Sequence, residues 1–334
     1  MSDLNLRPIW RWQWNLGAGI FLILTCLIAV AIGPVKLETT EILKTLLGQD
    51  STLSEQERSL LIDIRFPRVL LGALVGAALA SSGAVYQTVF RNPLADPYLL
   101  GAAAGAGLGA TIAITAARAE FYPSLPLFAF VGGVLAVLAT FLVAGRLYSE
   151  PGSLLLSGVA IGSFATAIQT FLQQQNSEVL RPVYSWILGE LTVADWSSVR
   201  WAALYIFVAL GVLISISKIL DALMLSDEEA FSLGVSPNRI RIIAVCAATL
   251  ATATAVSVSG LIGFVGIVVP HIIKRLTKKA TNRALPAIAL FGAAFLVLAD
   301  LGARTLLSPA EVPIGVITAF IGAPFFLFIL RTRR

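Results

Sequence analysis

The chain has 334 residues, of which 57% are hydrophobic and only 13% charged, with a net charge of +5 and a mean hydropathy of +0.86. Soluble domains carry about a quarter charged residues, so this composition excludes a water-soluble globular enzyme and requires the bilayer as solvent. The basic residues fall in short gaps between apolar runs, which reads as membrane topology rather than nucleic-acid binding.

Ten segments are candidates to cross the membrane as helices, at 16–35, 66–89, 97–117, 124–145, 153–174, 198–217, 240–259, 261–274, 284–303 and 312–330; a crossing takes about 20 apolar residues. The first follows Arg7 and Arg11 and contains Ala29-Val30-Ala31, a cleavage-like triplet. Its length and the many similar runs after it favour a retained span over a signal peptide. Residues 36–63 are acid-rich, with Glu38, Glu41, Asp50, Glu55, Glu57 and Asp63. The second span carries a ladder of small residues, Gly72, Gly76 and Ala80, and the third carries Gly101, Gly105 and Gly109. Small residues at this spacing let helices in lipid approach closely. They do not match a phosphate-binding glycine loop, and the chain has no GxxxxGK[ST].

Between these spans stands RNPLADP, residues 91–97. Pro93 pushes Asn92 out of helical conformation, while Pro97 suits the first turn of a new helix with Asp96 as its cap. The prediction is a cytosolic hairpin with the helix restarting at Pro97. On the fifth span, Ser163, Thr166, Thr170 and Gln173 recur on one helical face with Gln169 beside it. Such a face must meet protein or water; inter-helix hydrogen bonding and a solute path explain it equally. Residues 178–196 read as a short external interfacial helix with tryptophans at the boundary. Residues 220–241 form an acidic segment on the inside. His271 is the single histidine; alone it cannot build a metal site, and a local hydrogen bond is the simpler role. Cys26 and Cys246 lie in apolar runs and read as small hydrophobes.

Arginine and lysine concentrate in the gaps at Arg91, Arg146, Lys218, Arg239, Arg241 and Lys274–Arg283, which places both termini in the cytosol. The spans lack the ionisable residues of an ion-coupled secondary transporter, Asp300 being near an outer end. Nor is there a filter-like loop for a channel, or a nucleophile–base constellation for an enzyme. One domain, 1–334, is expected, without a separate soluble part.

Five blocks carry a resemblance: RFPR (65–68), SGAVYQTVFRNPLADPYLLGAAAGAGLGA (82–110), LSDEEAFSLGVS (225–236), SGLIGFVGIVVPH (259–271) and LADLGARTLLSPAEVPIGVITAFIGAPFFLFIL (298–330). From about residue 60 onward the chain resembles the permease subunits of ABC importers for iron–siderophore complexes, heme and cobalamin. The resemblance implies an all-α integral membrane fold of about ten transmembrane helices with type II ABC importer architecture, in the cytoplasmic (inner) membrane. It implies pairing with a second copy or a close homologue, two cytosolic ATPase subunits that use ATP, and an extracytoplasmic binding protein that delivers a bulky metal chelate. The chain itself then binds no cofactor and catalyses nothing. An iron–siderophore cargo is taken by analogy within the family, with cobalamin or heme as alternatives.

Residue by residue, the resemblance implies that Arg65, Arg68 and Arg304 dock the binding protein through its carboxylates, snorkelling arginines being the plainer alternative. LSDEEAFSLGVS matches the coupling helices (220–238), with Asp227, Glu228, Ala230, Leu233 and Gly234 toward the ATPase. Ser226 and Asp227 stand where the family has glycine and glutamate. Asn92 and Leu94 match one inner gate, and Glu150, Pro151 and Gly152 the other; Ser163, Thr166, Thr170 and Gln173 border the path. Thr281 and Asn282 depart from the histidine and arginine usual before the ninth span.

Overall fold

In the computed structural model of the chain, residues 9–35, 37–46, 48–49, 51–116, 124–145, 151–192, 194–277 and 281–332 are described. Among them the fold is entirely helical. In chain order the helices are α1 (Ile9–Ala31), α2 (Thr39–Leu46), α3 (Glu55–Ser59), α4 (Phe66–Val89), α5 (Ala102–Ala116), α6 (Leu125–Ala144), α7 (Pro151–Gln175), α8 (Leu180–Ile187), α9 (Trp196–Leu220), α10 (Asp227–Ser232), α11 (Pro237–Ser259), α12 (Val265–Thr277), α13 (Thr281–Thr305) and α14 (Ile314–Thr332). Seven are long and apolar enough to cross a bilayer. α5, α12 and α14 stand at the three remaining predicted spans and are shorter. The first helix starts earlier than expected and stops at Ala31, ahead of Gly33-Pro34.

The long helices differ in how much protein surrounds them. The apolar windows of α4 and α11 are 78% and 72% buried, against 28% for α7 and α9. Sequence explains this layering: α4 is rich in alanine, glycine and serine and α11 in alanine, serine and threonine, which allow close packing on every side. α9 is studded with exposed large apolar side chains such as Trp201, Phe207 and Ile214, suited to lipid. The small-residue ladders do pack helices. A Cβ on Gly76 would strike the backbone of Gly292 in α13, and one on Gly105 would strike Gly132 in α6.

Several hydroxyls inside the core are satisfied locally or across helices, while Ser81 and Thr252 are buried without a hydrogen-bond partner among the described residues. Tyr86 and Thr249 bond at 3.0 Å, Ser82 donates to the Ala248 carbonyl at 3.1 Å, and Thr111 donates to its own helix at 2.8 Å. Buried polar groups without partners are expensive away from water.

Three expectations are corrected. First, the helix does not restart at Pro97. From Phe90 to Gly101 the chain is irregular, and α5 begins only at Ala102. Second, Trp186 in α8 is covered by protein rather than open to an interface. It is 6% exposed and belongs to a cluster with Ala106, Ala110, Ala129 and Val256. The turn after α8 is clamped, Glu190 N donating to Ser259 O at 2.9 Å and Gly315 N to Leu188 O at 3.0 Å. Third, Cys246 is exposed rather than buried, while Cys26 is intermediate.

Candidate functional site: an unwound segment, a groove and two polar poles

The irregular stretch after α4 climbs back alongside that helix. A Cβ on Gly266 would meet both the Pro97 ring and the Leu79 carbonyl, so Pro97, Leu79 and Gly266 pack together. Leu79 lies ten residues before Val89 in α4, which puts Pro97 about 15 Å inward from that helix end. Non-helical backbone at such depth must be fully satisfied or line a wet cavity. Here its polar groups are taken one after another. Leu94 N donates to Asn92 Oδ1 at 3.0 Å and Tyr98 N to Asp96 Oδ1 at 2.8 Å. Tyr98 Oη donates to Ile262 O at 2.9 Å and accepts from Ile262 N at 3.2 Å. Thr140 Oγ1 donates to Leu100 O at 3.0 Å. Asp96 therefore ties a turn, not a helix cap. Asn92 is exposed and Leu94 half-buried at the mouth of this segment, with Ala95 buried behind them.

The unwound segment forms one wall of an open groove of about 680 Å³, whose other wall is α7. Gly158, Gly162, Ser163, Thr166 and Thr170 line the α7 side, facing Asp96, Tyr98, Leu99 and Gly101. Glycine at 158 is required by contact, since a Cβ there would hit the Leu99 carbonyl. The threonine hydroxyls donate back to Gly162 O and Thr166 O, each at 2.9 Å, so the wall offers methyls and lone pairs. Gln173 is half-buried outside this wall, and Gln169 is buried with its amide against Gly107 of α5. Three of the four stripe residues thus share the groove. Of the second turn named from sequence, Glu150 lies outside the described residues; Pro151 opens α7, and Gly152 is exposed with open space beside it.

At one end of the bundle lie three arginines and two carboxylates. Arg68 Nε donates to Asp300 Oδ1 at 2.9 Å, and its Nη1 and Nη2 form a fork onto Glu311 at 3.0 and 2.8 Å. Arg304 Nη2 donates to the Ala29 carbonyl at 2.5 Å, and its Nε lies 3.3 Å from Asp300. Arg65 donates to the carbonyls of Val30, at 3.0 Å, and Val35. All three are buried, at 3%, 9% and 3% exposure for Arg65, Arg68 and Arg304. Their guanidiniums are engaged by carbonyls and carboxylates of the chain itself, as buried charges in an apolar setting require. Glu311, whose side chain is 33% exposed, is the open member of the cluster.

At the opposite end stands the acidic segment. Ser226 and Glu229 form a reciprocal capping box that starts α10, a signature legible in SDEE. Hydrogen bonds from the Ser226 backbone and hydroxyl hold the Glu229 carboxyl below its ordinary pKa. Gly234, at φ +77, ends the helix, with Val235 N returning to Ala230 O at 3.0 Å. Ala230 is buried, Glu228 is exposed, and Phe231 and Leu233 project at 60% and 66% exposure. Asp227 pairs with Arg91 at 2.8 Å and lies 3.4 Å from Arg241.

Arg91, Tyr98 and Glu311 escaped the sequence reading as site residues. Arg91, at φ 50, closes α4 and donates to Leu223 O at 2.7 Å as well as to Asp227. It thereby joins α10 to the start of the unwound segment. Its only sequence signal is a charge ahead of Asn-Pro. His271 stacks edge-on to Phe325, ring centroids 6.0 Å apart.

Comparison with known proteins agrees with this architecture. A cobalamin import system permease protein of Halobacterium salinarum is 41% identical over 81% of this chain and 73% of its own length. A vitamin B12 import system permease protein of Vibrio parahaemolyticus is 36% identical over 98% of this chain and 97% of its own. An Fe(3+)-citrate import system permease protein of Bacillus subtilis is 34% identical over 93% and 92%. A solved inward-facing structure of a metal-chelate type ABC transporter superposes with a TM-score of 0.85 at 29% identity, covering 95% of this chain and 98% of that one. The model of the FecCD transport family matches residues 21–332. A multi-pass helical chain with this match along nearly its whole length belongs to the FecCD transport family.

Proposed function

We propose that the chain is the membrane-spanning subunit of an ATP-driven importer and passes a bulky metal chelate, an iron–siderophore, along the groove between α7 and the unwound segment. The observation that carries this is the groove itself: irregular backbone at membrane depth facing a wall of small and hydroxyl side chains. In lipid such a surface needs water or a solute beside it. α7 also leaves Leu156, Phe164 and Phe171 exposed, which suits pairing with a second copy that closes the groove into a path. Asn92, Leu94 and the Pro151–Gly152 start of α7 act as the inner gate.

α10 serves as the coupling helix. Its projecting Phe231 and Leu233 enter a groove on a cytosolic ATPase subunit, and Arg91 passes that push to the unwound segment. The arginine cluster faces the outside of the inner membrane and meets carboxylates of an extracytoplasmic binding protein. Both termini lie in the cytosol. ATP is consumed on the partner subunit. Cobalamin is a second cargo reading, favoured by the names of the Halobacterium and Vibrio relatives.

Reconstitution in proteoliposomes tests the proposal. Uptake of a ferric siderophore, or of cobalamin, must require the ATPase, the binding protein and ATP together. Accumulation by this chain alone on a proton or sodium gradient would overturn it.

A further inference from the structure

The fork of Arg68 is occupied by a carboxylate of the chain's own loop. Both Nη atoms of Arg68 donate to Glu311, while Nε and Nη2 hold Asp300. The two acids are held differently. Asp300 sits on α13 with its side chain 3% exposed, whereas Glu311 sits in the non-helical link between α13 and α14 with its side chain 33% exposed. Beside them is a cavity of about 110 Å³ lined by Arg68, Asp300, Glu311, Ser185, Glu190 and Thr192 among others. It has room for about three waters, or for one further carboxylate. Arg65, Arg68 and Arg304 stand beside Asp300 and Glu311, and Glu190 adds a third carboxylate at the cavity wall.

We propose that Glu311 is a tethered stand-in for the partner's carboxylate: it holds the Arg68 fork while the site is empty and yields it when an acidic side chain of the binding protein enters. This rests on the docking reading proposed above. A bidentate arginine–carboxylate pair is geometrically selective, so one acid can replace another without reshaping the site, and Asp300 keeps Arg68 aimed throughout. The partly exposed acid leaves because water can receive it; the buried one cannot.

The test uses the whole assembly in lipid nanodiscs and the binding protein that supports uptake in the proteoliposome assay. Its dissociation constant is measured against wild type, Glu311→Gln, Glu311→Asp and Arg68→Ala, each checked for intact assembly by size-exclusion chromatography. Glu311→Gln removes the competing charge. Glu311→Asp keeps the charge on a side chain too short to hold the fork. Tightening of about tenfold in both, with weakening in Arg68→Ala, is the expected result. If only Glu311→Gln tightens, net charge and not exchange is at work and the proposal is overturned. If neither tightens while Arg68→Ala weakens binding, exchange is refuted and docking at Arg68 stands. If Arg68→Ala changes nothing, the docking reading itself falls, and this proposal with it.

Discussion

Asp300→Asn removes a buried carboxylate shared by two arginines and carries a large stability cost. The Asp300 carboxylate is 3% exposed, lies 2.8 Å from Arg68 Nη2 and 3.3 Å from Arg304 Nε, and is the one acid between those two arginines with no route to water. At 2.8 Å a charge pair in an effective dielectric near 20 attracts by about 6 kcal/mol before desolvation. Breaking a buried pair by removing one partner costs about 3–5 kcal/mol net, because the remaining charge stays buried. In Asp300→Asn two arginines lose their shared acid: Arg68 keeps Glu311, and Arg304 keeps the Ala29 carbonyl. Glu311→Gln removes the same charge from the same fork, but at a side chain one-third open to solvent, so its loss is screened to about 1 kcal/mol or less. Denaturant unfolding of the solubilised chain, followed by tryptophan fluorescence, compares the two. A clear gap, with Asp300→Asn several-fold worse, is expected. Equal losses would show that burial does not rank these carboxylates and would refute the reasoning.

Thiol labelling checks the groove: in a chain with Cys26 and Cys246 replaced, Ser163→Cys, Thr166→Cys and Thr170→Cys react with a water-soluble reagent, whereas Gln169→Cys, packed on Gly107, does not. Gly76→Val drives a side chain into the Gly292 backbone and destabilises by about 1–3 kcal/mol, while Gly19→Val, with nothing within 4 Å of its Cβ, is neutral in the same unfolding assay. Arg91→Ala breaks a half-exposed pair with Asp227 and costs at most about 1 kcal/mol of stability, yet uptake falls several-fold with ATPase binding retained, if the coupling path is as described. Because the Glu229 carboxyl is held low in the folded chain, its cap supports α10 above the ordinary glutamate pKa of 4.5. That support is lost as pH falls through the lower, folded value, so ATPase association weakens there, and Ser226→Ala, which lacks the cap, shows less of this pH dependence.

Much of the molecule is legible from the chain alone. Apolar length and the basic gaps mark the crossings, because a bilayer imposes the same demands on any helix in it. Gly76 and Gly105 announce close helix contact, since in lipid only small residues permit it. SDEE announces α10 because a capping box is a purely local bargain of four residues. What only the tertiary structure decided is where local preference loses. Asp96-Pro97 is a sound helix start by local rules, yet the chain stays unwound to Gly101, because Ile262, 164 residues from Tyr98, and Thr140, 40 from Leu100, take its hydrogen bonds. Likewise nothing in RFPR shows that Arg68 is held from 232 and 243 residues away by Asp300 and Glu311. A helix is paid for by neighbours a turn apart and can be read from them; a buried charge or an open strand of backbone at membrane depth is stable only through partners that folding alone brings near.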